Sequence, residues 1–430
     1  MGDDLLNFPE IQFGKESLHY LRILNAICYP FGMAGTSEGR FSRRTGWKLT
    51  PNRLTEALLE VRAAGREVLD LTVSNPTRAG IQYDADSILK SLADPAALDY
   101  DPQPKGLRCA REAVAEYYSC GADTPVREVD PESLVLTTST SEGYSYIFRL
   151  LANPGDEVLV PKPSYPLFDF LAGLQDVKLQ PYPLIYDHGW QIDLHALERA
   201  INKRTRAVIV VHPNNPTGSY VTDAERSALN TFCREHRLAL MVDEVFLDYA
   251  HDGIPRSTFA DNQDALTFTL SGLSKIAGLP QMKLGWIAVS GPEKEVSAAM
   301  QRLDVIADTY LSLNAPVQLA AATLLEQRKN IQPQLTHRVH ANLAELDRQL
   351  SQQQVCARLA IEGGWYAVMR VPVTQSDEDL AVAIVRDACV LVHPGHFYDF
   401  PTDGFLVLSL ITQPQEFCEG VRRILKFLGS

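Results

Sequence analysis

Chemistry in this chain gathers around a lysine. Lys275 closes the run Ser271-Gly272-Leu273-Ser274-Lys275, between an apolar stretch at 266–270 and a second at 284–289. A lysine behind such a turn presents an amine that can attack an aldehyde or ketone and form a Schiff base. Alone it signifies little, because solvated lysines are common on any surface. Three more polar clusters also follow apolar runs. Residues 207–211 lead into His212-Pro213-Asn214-Asn215-Pro216-Thr217-Gly218, residues 238–242 into Asp243-Glu244, and residues 134–138 into Ser139-Thr140-Ser141-Glu142-Gly143. Open α/β sheets bind ligands outside the carboxyl ends of their strands. Asp243 there could be a catalytic group or simply cap a helix. Asn215 could reach a ligand oxygen or serve only the turn that Asn-Pro and Thr-Gly favour. Thr140 and Ser141 mark a strand-to-helix junction, either a phosphate site built on free N–H groups or a plain capping box.

Taken in order, N-N-P-T-G, V-D-E-V-F, S-G-L-S-K and K-L-G-W resemble the class I/II aminotransferases of fold type I, which use pyridoxal 5′-phosphate. The form G-L-S-K looks most like the alanine-type and related branches. The resemblance implies a set of roles over about residues 70–410. Lys275 would carry the cofactor as a Schiff base and shuttle the proton, Asp243 would face the pyridine nitrogen, and Asn215 the phenolic oxygen. Thr140, Ser141, Ser271, Ser274 and Lys283 would surround the phosphate, with Tyr165 stacked on the ring. Tyr100 would reach the phosphate of a neighbouring subunit, which implies a homodimer. Glu244 is structural by the same resemblance, and Ser74 falls in the substrate-contacting turn.

Departures from that pattern bear on substrate and cofactor. Ser139 stands where glycine is frequent, Lys283 where arginine is usual, and Phe246 where tyrosine is usual. Val407, in the stretch 404–410, occupies the place of the carboxylate-binding arginine; Arg78 is the candidate substitute cation. The reaction so implied moves an amino group between an amino acid and a 2-oxo acid. A lyase or decarboxylase could use the same residues, since the bond broken depends on which substituent stands perpendicular to the ring. A non-catalytic effector-binding protein of this fold is disfavoured by the intact Lys275 and Asp243 and by the lack of a basic DNA-binding segment.

Composition narrows the remaining classes. With 430 residues, 45% hydrophobic and 22% charged, the chain has the make-up of a soluble enzyme with room for two domains. A net charge of -13 argues against a nucleic acid or an anionic membrane as partner. Seven scattered cysteines without a C-x-x-C pair point to reduced thiols and a cytoplasmic protein. His393 and His396 lack partners at ligand spacing, so no metal site is expected. No apolar run approaches the ~18 residues of a membrane span. The stretch 18–35 is broken by Arg22 and Asn25 and preceded by acidic residues, a poor signal peptide. Met33 offers a second plausible start, so 1–32 is expected to be either an N-terminal extension or a mis-assigned initiation.

Alternating apolar runs and amphipathic stretches predict an α/β fold. Strands are expected at 134–138, 157–160, 207–211, 238–242, 266–270 and 284–289, with helices at 142–151, 223–235, 292–310 and 316–328. The large domain, 81–331, would hold a mostly parallel sheet flanked by helices and bind the cofactor. A smaller α+β domain would be built from both chain ends, 33–80 and 332–430, with a helix at 335–350, strands at 365–371 and 406–410, and helices at 378–388 and the C-terminus.

Overall fold

The computed structural model describes residues 40–47, 49–119 and 129–429. The expected extension at 1–32 lies outside them.

A two-stranded pair joins the chain ends: β1 (Leu69–Asp70) runs parallel to β12 (Val390–Leu391). The central sheet has eight strands: β2 (Leu134–Thr137), β3 (Glu157–Lys162), β4 (Lys178–Tyr186), β5 (Trp190–Ile192), β6 (Thr205–Val211), β7 (Ala239–Asp243), β8 (Thr267–Gly272) and β9 (Gly285–Ser290). Their spatial order is β2-β9-β8-β7-β6-β3-β4-β5. Pairing is parallel from β4 through β3, β6 and β7 to β8, while β9 runs antiparallel to both β8 and β2 and β5 antiparallel to β4. Strands β10 (Ala357–Arg358), β11 (Tyr366–Arg370), β13 (His393–Pro394) and β14 (Phe405–Ser409) form a smaller antiparallel sheet in the order β10-β11-β14-β13.

The central strands are apolar at successive residues because both faces of the sheet are covered. In β6, Ala207, Ile209 and Val211 join one core cluster, and Val208 and Val210 join the cluster on the other face. Strand β7 repeats this, with Ala239 and Met241 on the first face and Leu240 and Val242 on the second. The helix Thr140–Leu151 packs Tyr144, Ile147 and Phe148 into the first cluster. The smaller unit draws on both chain ends, as expected. Besides the β1–β12 pair, helix Arg53–Ala63 places Arg53 against Asp379 at 2.6 Å and Glu60 against Arg386 at 2.8 Å.

Some elements differ from the sequence reading. Strand β4 was not expected, because Pro181 and Pro183 demote a strand pattern. Only its end, Leu184–Tyr186, pairs with β5, so Lys178–Pro183 has an open edge, where proline is tolerated. The single helix expected at 316–328 is two short helices, Ala315–Leu319 and Ala321–Glu326, and the next begins at Arg328 and runs through Pro333 to Leu350. The expected helix at 378–388 divides into Asp377–Ala383 and a wider turn, Ile384–Ala388.

Candidate active site

Six strands meet at one cavity. Parallel strands β3, β6, β7 and β8 deliver their carboxyl ends to the same edge of the sheet; β2, running alongside β9, ends there too, and β9 begins there. The cavity, about 250 Å³, is lined by Lys275, Asp243, Asn215, Tyr165, Ser274 and Lys283, with Thr140, Ser141 and Ser74 around them. Nine of the candidate site residues therefore line one cavity. Two glycines make the β8–β9 end narrow enough. A Cβ on Gly272 would stand 2.9 Å from Gly285 Cα, and one on Gly285 would stand 3.1 Å from the Ser139 carbonyl carbon.

Lys275 lies in the helical turn Leu273–Ile276 directly after β8. Its Nζ donates to the Ser74 carbonyl at 3.3 Å and lies 4.8 Å from the Trp365 ring centre and 5.4 Å from that of Phe246. Desolvation among these groups lowers its pKa to about 8, partly offset by the attraction of Asp243. Asp243, the last residue of β7, is buried; its Oδ1 accepts from the Val245 N–H at 3.1 Å and its Oδ2 from the Tyr144 hydroxyl at 3.1 Å. Burial raises its pKa to about 6 against those two hydrogen bonds and Lys275. Glu244 beside it turns away, taking bonds from Thr258 Oγ1 and the Phe259 N–H at 2.6 Å each; burial pushes it up to about 8.

Asn215 is aimed by its own turn. Asn214 folds the segment through Thr217 Oγ1 at 2.9 Å and the Gly218 N–H at 2.7 Å, and ties it to the Pro163 carbonyl at 3.1 Å. The Asn215 side chain makes no hydrogen bond among the described residues, and its Oδ1 is buried at the cavity. A buried amide oxygen left this way is open to a partner from the cavity, a ligand or an ordered water. The turn and the cavity-facing amide coexist here.

At the opposite wall begins the helix Thr140–Leu151. The Ser139 side chain caps it by accepting from the Glu142 N–H at 3.3 Å, and Glu142 reaches back to the Thr138 N–H at 2.7 Å. These bonds leave the N–H groups of Thr140 and Ser141 at the helix start, where orphan donors and the helix dipole favour an anion. Ser274 and Lys283 line the same cavity. Lys283 is exposed and has left-handed backbone geometry, with φ at 54°. The buried amide, the buried carboxylate, the desolvated amine and the anion-seeking helix end fit an aldehyde-bearing, phosphorylated pyridine ring.

Three predicted residues are not brought to the cavity. Ser271 is buried within β8 and its hydroxyl donates to the Glu244 carbonyl at 3.3 Å, because side chains alternate across a strand. Arg78 is exposed in the short helix Pro76–Arg78 and is not on the wall. Tyr100 is 82% exposed and borders a separate cavity with Gln103, Tyr146 and Leu311. Val407 is buried within β14 between His393 and Val368, and no arginine lines the main cavity among the described residues. Phe246 is buried, packed edge-on against Trp365 at 5.1 Å between ring centres. Sequence reasoning missed Tyr366, which lines the cavity from β11, and Tyr144, whose hydroxyl donates to Asp243. A buried tyrosine needs a partner for its hydroxyl, a signal that Tyr144 carried in the sequence without saying which partner.

Comparison with known proteins places this architecture. A family model described as aminotransferase class I and II matches residues 66–424. Alanine aminotransferase of Mycobacterium tuberculosis strain H37Rv is 28% identical over 378 residues, which cover 86% of this chain and 87% of that protein. Glutamate-pyruvate aminotransferase AlaA of Escherichia coli K12 is 30% identical over 274 residues, 63% of this chain and 67% of that one. The solved alanine aminotransferase from Pyrococcus furiosus shares the fold at a TM-score of 0.79, with 23% identity over 91% of this chain and all of that one, at 100%.

Proposed function

Because this chain belongs to the class I and II aminotransferases, we propose that the cavity around Lys275 is where it moves an amino group between an amino acid and a 2-oxo acid, with pyridoxal 5′-phosphate as cofactor. The observation that carries the reading is the pairing of Lys275 and Asp243 at adjacent strand ends, on one cavity with a helix N-terminus opposite. Bound there, the cofactor supplies the electron sink and carries the amino group. The protein's own residues do the rest.

The N–H groups of Thr140 and Ser141, the Ser274 hydroxyl and the Lys283 ammonium would hold the phosphate. Asn215 would serve the phenolic oxygen, Tyr165 would cover the ring, and Asp243 would pair with the ring nitrogen. Lys275 would be the amine that anchors the cofactor and, when free, would take the proton from the substrate α-carbon and return it. A pKa near 8 suits this, giving a neutral-amine fraction on the order of a hundredfold above that of an ordinary lysine at neutral pH. Phe246 leaves the phenolic oxygen without a hydroxyl from that side.

The substrate site is less furnished. With no arginine among the described lining residues, the α-carboxylate has to be met by polar groups such as Ser74 and by groups from outside this cavity. Tyr100, exposed and away from its own chain's site, suits a contact with a second copy; we read the protein as a homodimer. The five described cysteines are free thiols, which accords with a cytoplasmic enzyme, and no helix among the described residues is long and apolar enough to cross a membrane.

Substrate assignment follows from a panel of amino donors and 2-oxo acids, with glutamate, alanine and pyruvate first because two relatives carry those names. Stoichiometric 2-oxo acid without ammonia is the expected result; ammonia release would show a lyase instead. Cofactor retention gives a second measurement. Lys283→Arg restores a bidentate fork for the phosphate, and reconstitution of the apo protein is expected to show affinity several-fold higher, about 1 kcal/mol. An unchanged titration would remove Lys283 from the phosphate cup.

A further inference from the structure

Tyr144 stands outside every role assigned so far, yet it touches the group on which the cofactor's electronics depend. Its ring is 2% exposed and held by aromatic packing, edge-on to Phe168 at 5.3 Å and 6.1 Å from Phe148 between ring centres. Only its hydroxyl leaves that packing, and it ends 3.1 Å from Asp243 Oδ2.

We infer that Tyr144 is a positioning residue for Asp243: its hydroxyl, together with the Val245 N–H on the other oxygen, fixes the rotation of the carboxylate so that its remaining lone pairs face the cavity. The inference rests on the reading of Asp243 as the partner of the ring nitrogen. An Asp side chain turns broadly about its terminal torsion, and one donor on each oxygen removes that freedom. The hydroxyl does the further work of favouring the charged form of a carboxylate that burial drives toward neutrality. Tyr144 can only donate while it keeps its proton, and burial and the charge of Asp243 both raise its pKa well above the ordinary phenol value. The other charged or titratable groups bearing on the pair are Lys275, from the turn after β8, and Tyr165, from the loop after β3.

The placement also links the two ends of the proposed cofactor site. Thr140 and Ser141, the candidate phosphate donors, open the same helix whose next turn carries Tyr144. One rigid element would therefore set both the phosphate and, through Asp243, the ring nitrogen. Sites built on helices hold their geometry better than sites built on loops.

Tyr144→Phe keeps the packed ring and deletes the donor. Pyridoxal 5′-phosphate is titrated into apo protein from pH 5.5 to 8 for the wild type, Tyr144→Phe, Asp243→Asn and the double variant. Tyr144→Phe is expected to weaken retention roughly tenfold, the scale of a hydrogen bond to a charged acceptor. It should also move to higher pH the point at which retention falls on acidification. In the Asp243→Asn background the same change should have no effect, because the charge it supports is gone. An equal loss in both backgrounds would make Tyr144 merely structural and overturn the inference. So would a Tyr144→Phe protein that binds like the wild type while Asp243→Asn does not. If Asp243→Asn itself binds normally, the reading of Asp243 fails, and the inference with it.

Discussion

Lys275→Ala is expected to abolish turnover, lowering kcat by roughly 10⁴-fold or more, since it deletes both the nucleophile and the proton carrier. The loss should be chemical and not a failure to fold. Lys275 contributes one side-chain hydrogen bond, to the Ser74 carbonyl, and its amine sits among rings that pack on one another without it. The far-ultraviolet dichroism and melting transition should stay near those of the wild type. The decisive measurement is borohydride reduction of cofactor-loaded protein followed by peptide mass spectrometry. The wild type should carry the added mass on the peptide containing Lys275, and the variant should carry none. Near-normal turnover in the variant, or an adduct on another lysine, would overturn the assignment.

Asp243→Asn should cost about 10²–10³ in kcat, comparable to losing one preorganised electrostatic contact in an enclosed site. The amide preserves the size of the side chain but carries no charge to stabilise a protonated ring nitrogen. The pH profile separates this from a steric defect. Burial holds the Asp243 pKa up at about 6, and the working form is the ionised one. Retention of the cofactor by the wild-type apo protein should therefore be full above about pH 6 and weaken as pH drops through that value. In Asp243→Asn this acidic limb should vanish, leaving a low and flat profile. A variant that keeps the limb would show that another group titrates there.

The readable and unreadable parts of this site divide along a physical line. Lys275, Asp243, Asn215 and the Thr140–Ser141 turn sit at or just beyond strand ends, and a strand end can be placed from the apolar run before it. Ser271 lies one step too early: still inside β8, it follows the alternation of the strand and points to the Glu244 carbonyl. Arg78 is near Ser74 in sequence, but the intervening short helix carries it to the surface. Tyr366 lines the cavity and Tyr144 reaches Asp243 because a strand of the smaller sheet and a helix face are brought there from elsewhere in the chain, which local spacing does not encode. The same holds for the fold. The parallel core was legible from strands buried on both faces, whereas β4 was hidden by its prolines, and the break at Ala320 carried no glycine or internal proline to mark it.

Glu244, next to Asp243, shows what the site asks of the molecule as a whole. Two carboxylates buried side by side, with a desolvated amine in the turn after the neighbouring strand, are held at the edge of a sheet whose faces are packed mostly with apolar side chains. Each of these groups is costly to remove from water. Selection for thermal endurance alone would replace them with aliphatic residues, so this corner is where robustness has been given up for reactivity. Stabilising substitutions in this enzyme are therefore best sought away from this corner, in the apolar clusters on the two faces of the sheet.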